Sequence, residues 1–230
     1  MGGRTVNSRM MQTSNEERKA EKDGRNYRSL DKESYGYEYD HFKNDSLSWQ
    51  GKMSKDELNG VVRYSGSTYR AMNDYLRTGK MGSGYDEKLE KLITDCSNGL
   101  SKYTIKENLL VYRKSSAALF NQLGVSLGYS FQSREDFVKS INSFAGSIVT
   151  DKGFTSTSTR SKTWGGDVHM EIRVPKGTNG AYIEHVSQHS SEKELLLNKG
   201  TNFKIVSARM EDNHPVVVLK VINKSSKRKQ

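Results

Sequence analysis

Three places in this chain combine reactive side chains with a spacing that could do chemistry. Arg113 ends the apolar run Leu109-Leu110-Val111-Tyr112. It reads either as the wet end of a strand, because arginine is rarely buried unpaired, or as a planar five-donor fork suited to a diphosphate. The second place is Gly153-Phe154-Thr155-Ser156-Thr157-Ser158-Thr159-Arg160. On a strand, Ser156 and Ser158 share one face and Thr157 takes the other. Taken alone it is a hydroxyl-rich strand edge, and it lacks the Gly-Lys-Ser/Thr ending of a phosphate-binding P-loop. The third is Glu192-Lys193-Glu194, ahead of Leu195-Leu196-Leu197. A spacing of two on a strand predicts both carboxylates on the same face. They form either a solvated acidic pair or two acids at the mouth of a buried strand, their pKa values pushed apart for acid/base work.

Metal chemistry is not expected. Cys96 is the single cysteine, so no internal disulfide framework exists. The five histidines, His41, His169, His185, His189 and His214, fall into no HExxH or Cys/His spacing. His185 and His189 could share a helix face, but no third ligand stands near them in sequence.

The elements that must position these residues follow from periodicity. Residues 1–51 are polar, with charges of both signs between Arg18 and Arg28, and read as a weakly ordered arm or exposed helix. Ser54-Lys55-Asp56-Glu57 fits a capping box opening a helix through Leu58, Val61, Val62 and Tyr64. Ser65-Gly66-Ser67 breaks it, and Tyr69, Met72, Tyr75 and Leu76 restart a helix that stops near Gly79. Two short helical pieces follow, from Asp86 to Ile93 and from Asp95 to Leu100, and a further helix spans Ser133 to Phe144. Strands are predicted at Leu109–Tyr112, Gly146–Thr150, Gly153–Ser158, Val168–Val174, Ala181–Ile183, Glu194–Leu197, Phe203–Ala208 and Val216–Ile222. Helices first and strands afterwards predict an α+β domain over residues 52–223, followed by a basic tail over 224–230.

With the three places in this order, Arg in Val-Tyr-Arg, then Ser-Thr-Ser, then Glu-x-Glu, the chain resembles the Arg-Ser-Glu class of mono-ADP-ribosyltransferases, which includes actin-modifying binary toxins and bacteriophage arginine ADP-ribosyltransferases. The segments Tyr69 to Arg77, Val174 to Thr178 and Glu194 to Gly200 are also similar to that family. The resemblance implies two roughly perpendicular β-sheets around a cleft that binds NAD as substrate. It implies that Arg113 grips the NAD phosphates and that Ser156 contacts the nicotinamide-side ribose and holds Glu194. Thr157 and Ser158 would support the strand and cleft. Glu194 would stabilise the oxocarbenium-like cation, as a carboxylate does in glycoside cleavage. Glu192 would engage an incoming guanidinium, which makes arginine the expected acceptor. The loop from Thr159 to Asp167 would cover the phosphates and nicotinamide, with Arg160 adding a phosphate contact and Trp164 stacking on the nicotinamide. The chain departs from the family where its target-recognition loop, Val186 to Ser191, offers only His189 in place of an aromatic residue.

Bulk properties bound the alternatives. The net charge of +10 raises nucleic acid or an anionic membrane as partners. The positive residues are spread out, however, and no nucleic-acid motif appears, so neither partner is expected. No apolar run approaches the roughly 18 residues that cross a bilayer. The first thirty residues lack the apolar core of a secretory signal, and Val6 stands where a myristoylation motif wants Ser or Thr. The expectation is a monomeric effector, secreted or injected without a Sec signal, that modifies a protein inside a target cell. Two readings stay open beside it: a basic binding or phage-structural module with a degenerate transferase fold, and an NAD glycohydrolase in which water replaces arginine.

Overall fold

The computed structural model describes residues 22–31, 37–79, 87–127, 133–162 and 165–223. The capping box forms as the sequence predicts: the Ser54 amide donates to Glu57 Oε2 at 2.6 Å, and the Glu57 amide donates to Ser54 Oγ at 3.2 Å. The helix that it opens, α2 (Lys55–Arg63), gives way to a wide turn at Tyr64–Thr68, where Gly66 leaves helical geometry with φ −98° and ψ −139°. Helix α3 (Tyr69–Thr78) then runs to Gly79, whose left-handed φ of 67° ends it. The two short pieces expected next are one helix, α4 (Glu87–Ser101). Leu89, Leu92, Ile93, Cys96 and Leu100 keep a single apolar stripe across the polar Thr94-Asp95, so nothing interrupts it.

The largest difference from the sequence reading lies before residue 52. Strand β1 (Arg28–Ser29) and helix α1 (Tyr37–Gln50) belong to the folded domain, and Leu30, Phe42 and Trp49 are part of its core. Trp49 is buried with its indole N–H donated to Gly99 O at 2.8 Å, and the Phe42 ring lies 4.9 Å from that of Tyr182. The polar composition of the segment concealed three anchors that are too widely spaced to form a sustained stripe. The 224–230 tail and residues 1–21 lie outside the described residues.

The strands are β2 (Leu109–Ser115), β3 (Ile148–Asp151), β4 (Thr155–Ser158), β5 (Val168–Val174), β6 (Gly180–Tyr182), β7 (Glu194–Leu197), β8 (Thr201–Glu211) and β9 (His214–Ile222). Hydrogen bonding runs in the order β3-β8-β9-β5-β2-β4-β7-β6, with β1 parallel on β2. The α+β class is as expected; where the sequence reading has two roughly perpendicular sheets, the strands hydrogen-bond as one nine-stranded sheet in which two ladders can be told apart. One is β3-β8-β9-β5-β2 with β1, and the other is β4-β7-β6; they meet at the pair Tyr112↔Ser158. Strands β1 and β4 therefore share one edge of β2, β1 at its start and β4 at its middle. Helix α5 (Arg134–Ser143) covers β8 and β9 through Phe137 and Ile141, and α1 and α4 back β6. All four residues of β7 are buried, which explains its unbroken apolar run.

Candidate active site

The junction of the two ladders brings Arg113, Ser156 and Glu194 together. Strand β2 delivers Arg113 one residue past the shared pair, and its Nη1 donates to Ser156 O at 2.9 Å. Burial pulls its guanidinium below the usual value, and Asp151, Tyr64 and Glu194 pull it back upward. Strand β4 is fixed at its upstream end by helix α3. Asn73 Oδ1 accepts from the Phe154 amide at 2.8 Å, while Arg77 donates to both oxygens of Asp151, each at 2.9 Å. Asp151 also accepts from the Gly153 amide and the Thr155 hydroxyl, each at 3.0 Å. The turn before β4 is thereby held on three sides.

Downstream, the hydroxyls of β4 divide their work. The Ser156 hydroxyl lies close enough to Glu194 to draw its carboxyl downward, and it lines the cleft. Thr157 and Ser158 also border the cleft, but their hydroxyls are committed to backbone. Thr157 donates to Leu195 O at 2.6 Å, and Ser158 donates to Glu192 O at 2.8 Å. Both hold β7 and its leading turn in place, which leaves their hydroxyls engaged with protein rather than directed at a ligand.

Glu192 and Glu194 both face the cleft, though not by the expected route. Glu194 opens β7, whereas Glu192 ends a short 3₁₀ turn, Ser190–Glu192, and Lys193 between them takes a left-handed φ of 51°. A turn, not strand alternation, brings the two carboxylates to one site. Glu194 is 5% exposed. Burial pushes its carboxyl up to about 7 against the pull of the Ser156 hydroxyl; Glu192 adds to the rise and Arg113 opposes it.

Arg160 lines the same cavity, yet its Nη1 donates to the Leu30 and Asp31 carbonyls at 2.8 and 2.6 Å. The Ser161 amide and hydroxyl donate to the Asp31 carboxylate at 2.6 and 2.7 Å. Arg160 therefore also ties the loop after β4 to the N-terminal segment while bordering the cleft. Trp164 lies outside the described residues. Sequence reasoning assigned no role to Tyr64, Asn73, Arg77 or Asp151. The signal for two of them was present: Asn73 and Arg77 are four apart and share a face of α3. Tyr64 is buried, accepts from Asn73 at 3.0 Å, and has its phenol raised by burial and by nearby Glu194.

Arg113 stands where cavities meet. On one side lie Ser156, Glu192 and Glu194; on the other, a cavity of about 820 Å³ is bordered by Arg77, Ser115, Gln122, Asp151 and Phe203. A cation between two chambers, with a raised carboxyl in one of them, is suited to an extended anionic ligand cleaved at one end.

The family model for the ADP-ribosyltransferase exoenzyme matches residues 25–226. The chain belongs to this family. It is 25% identical over 164 residues to the NAD(+)–arginine ADP-ribosyltransferase EFV of Enterococcus faecalis, covering 71% of this chain and 31% of that protein. It is 23% identical over 212 residues to the mono-ADP-ribosyltransferase C3 of Clostridium botulinum D phage, covering 83% and 81% respectively. The chain therefore spans about a third of the first relative and most of the second. Among solved structures, C3stau2 from S. aureus with NAD is similar in fold, with a TM-score of 0.69 and 20% identity, covering 86% of this chain and 99% of that one. The match from residue 25 agrees with the placement of β1 and α1 inside the domain. Among the described residues no group of three or more His, Cys, Asp or Glu could hold a metal, and no helix is long and apolar enough to cross a membrane.

Proposed function

We propose that this family member is an NAD–protein-arginine mono-ADP-ribosyltransferase. The observation that carries the reading is the buried Glu194 carboxyl, raised to about 7, held by Ser156 and faced by Glu192 across the cleft from Arg113. Arg113 takes the diphosphate of NAD, the adenosine half fills the cavity bordered by Arg77 and Asp151, and the nicotinamide-side ribose reaches Ser156 and Glu194. The bond from ribose C1′ to nicotinamide breaks, and nicotinamide leaves with the electron pair. Ionised Glu194 stabilises the cation left on the ribose, in a site where fixed charges act strongly because water is largely excluded. A guanidinium nitrogen of the acceptor attacks C1′, and Glu192 takes its proton. Glu192 and the similarity to a relative named as an arginine transferase support arginine as the acceptor. The family's description as exoenzymes supports an effector, secreted or injected, that works inside a target cell on a protein substrate.

The test is labelled NAD added to the purified chain with target-cell lysate, followed by mapping of the modified residue by mass spectrometry. Label on arginine that disappears in Glu194→Gln is the expected result. Glu192→Gln should lose transfer and keep some nicotinamide release. A bond to cysteine or asparagine overturns the acceptor assignment, and a chain that neither consumes NAD nor labels protein overturns the reading entirely.

A further inference from the structure

Glu192 rides on the segment 183–193 between β6 and β7, and three sets of contacts hold that segment. Near its ends, Glu184 accepts from Tyr182 Oη at 2.6 Å and pairs with Lys193, while Lys43 approaches at 3.5 Å. On the β4 side, Ser158 holds Glu192 O, and the Thr159 amide donates to Lys193 O at 3.1 Å. In its middle Val186 packs on the core, and the hydrogen bonds to the facing helix turn come from one residue, Gln188. The Gln188 amide donates to Ser65 Oγ at 3.1 Å, and its side chain Nε2 donates to Val62 O at 3.4 Å. Ser65 in turn donates to the same Val62 carbonyl at 2.9 Å.

This contact needs the glycine beside it. A Cβ on Gly66 would stand 2.6 Å from Gln188 Oε1 and 2.7 Å from Nε2, so the Gln188 amide occupies the space that a side chain at position 66 would fill. The break between α2 and α3 thus serves as a seat for the loop. Gln188 joins the two banks of the cleft mouth: Tyr64, Ser65, Tyr69 and Arg70 line one, His189 and Glu192 the other, with Glu194 shared between them.

We propose that Gln188 is a positioning residue that sets the partition between transfer to an acceptor and hydrolysis of NAD; this rests on the transferase reading above. Breaking the bond to nicotinamide uses Ser156 and Glu194, which sit on β4 and β7 and are fixed without Gln188. Transfer needs in addition that Glu192 meet the incoming guanidinium in one orientation, and orientation is what a stapled loop supplies. Losing the staple therefore lowers transfer and leaves cleavage in place.

The experiment uses the full chain with NAD and agmatine, a small guanidino acceptor, and measures nicotinamide release and ADP-ribosyl-agmatine in the same reaction. Gln188→Ala is expected to lower the transfer-to-hydrolysis ratio about fivefold, the effect of one modest hydrogen bond, with total nicotinamide release within about twofold of wild type. Gly66→Ala, which displaces the Gln188 amide without altering the loop's sequence, should move the ratio the same way. Amide hydrogen exchange over residues 187–192 should quicken in both variants, and this readout does not depend on NAD. An unchanged ratio in both variants, or an equal fall in transfer and hydrolysis, overturns the role of Gln188. A wild-type chain that releases no nicotinamide overturns the transferase reading instead, and unchanged exchange overturns the staple alone.

Discussion

Two buried carboxylates stand at opposite ends of β4 and behave in opposite ways. Asp151 is 7% exposed and Glu194 is 5% exposed, and burial penalises the charge on each. Burial would raise Asp151, yet the paired Arg77 guanidinium, Arg113 and the Thr155 hydroxyl hold it below its usual value. Glu194 has a single hydroxyl, Arg113 at longer range and a second carboxylate opposing it, and it stays up near 7. The partners pull the two in opposite directions. The paired end fastens β4 to α3, and the under-paired end keeps a carboxyl whose charge is available when a cation forms beside it.

Removing the reactive partner should have the largest effect. Glu194→Gln is expected to lower nicotinamide release by about 10²–10³-fold, the usual cost of losing one preorganised electrostatic group. The same variant should be more stable than wild type above pH 7. The unfolded carboxyl ionises near 4.5 and the folded one near 7, so wild type loses stability as pH climbs through that window and carries the full penalty above it. The penalty is on the order of 2–3 kcal/mol. Thermal melts of both proteins at pH 4 and pH 8 check this, and a wild type that is the more stable at pH 8 sinks the contrast.

Breaking the other end should cost the fold. Arg77→Met leaves Asp151 buried without its bidentate partner and is expected to lower unfolding free energy by about 2–4 kcal/mol, read from urea titration. Asp151's contribution runs the opposite way with pH: it is present above 3.8 and is lost as acid drives the pH down through the lowered folded value. A melt indistinguishable from wild type at neutral pH would show that the pair is merely superficial.

A finer test changes the repulsion rather than the group. If Glu194 acts ionised, kcat/KM for NAD hydrolysis should rise with pH through about 7. Glu192→Gln removes the carboxylate that raises it, so the midpoint should move downward while hydrolysis persists. A midpoint that moves upward, or stays fixed, would mean that the two acids do not feel each other. The smallest effect is expected at Asp31. Asp31→Ala frees Ser161 and should speed tryptic cleavage after Lys162 roughly threefold, with little change in melting.

What was legible in the sequence follows the same division. Arg113, Ser156 and Glu194 announce themselves because each sits in or beside a strand whose periodicity is clear, and β2, β4 and β7 form where those strands are expected. Glu192 borders the cleft by way of a turn and not by strand alternation, and the turn was not legible because a lysine at positive φ gives no signal of the kind glycine gives. The Asp151–Arg77 pair spans 74 residues, and no local pattern couples them. Arg160 reads as a phosphate ligand because its chemistry suits one; that its Nη1 also donates to two backbone carbonyls just after β1 is a fact of tertiary structure that no local pattern gives. Helix α1 was hidden by composition, since Phe42 and Trp49 are two anchors among mostly polar neighbours. The hairpin between β8 and β9 turns on Asp212-Asn213, both at positive φ, a readable signal that the strand boundaries at 208 and 216 passed over.

The single register pair between the two ladders has a mechanical consequence. Among the described residues, Tyr112↔Ser158 is the only rung of β-pairing between β2 and β4, so backbone bonding there acts as a pin rather than a weld. The Arg113 bond to Ser156 O is a side-chain tie across the same junction, one residue past that rung. An anion that engages the same guanidinium loads that tie directly. Filling the cleft and bracing its two sides thus draw on one side chain.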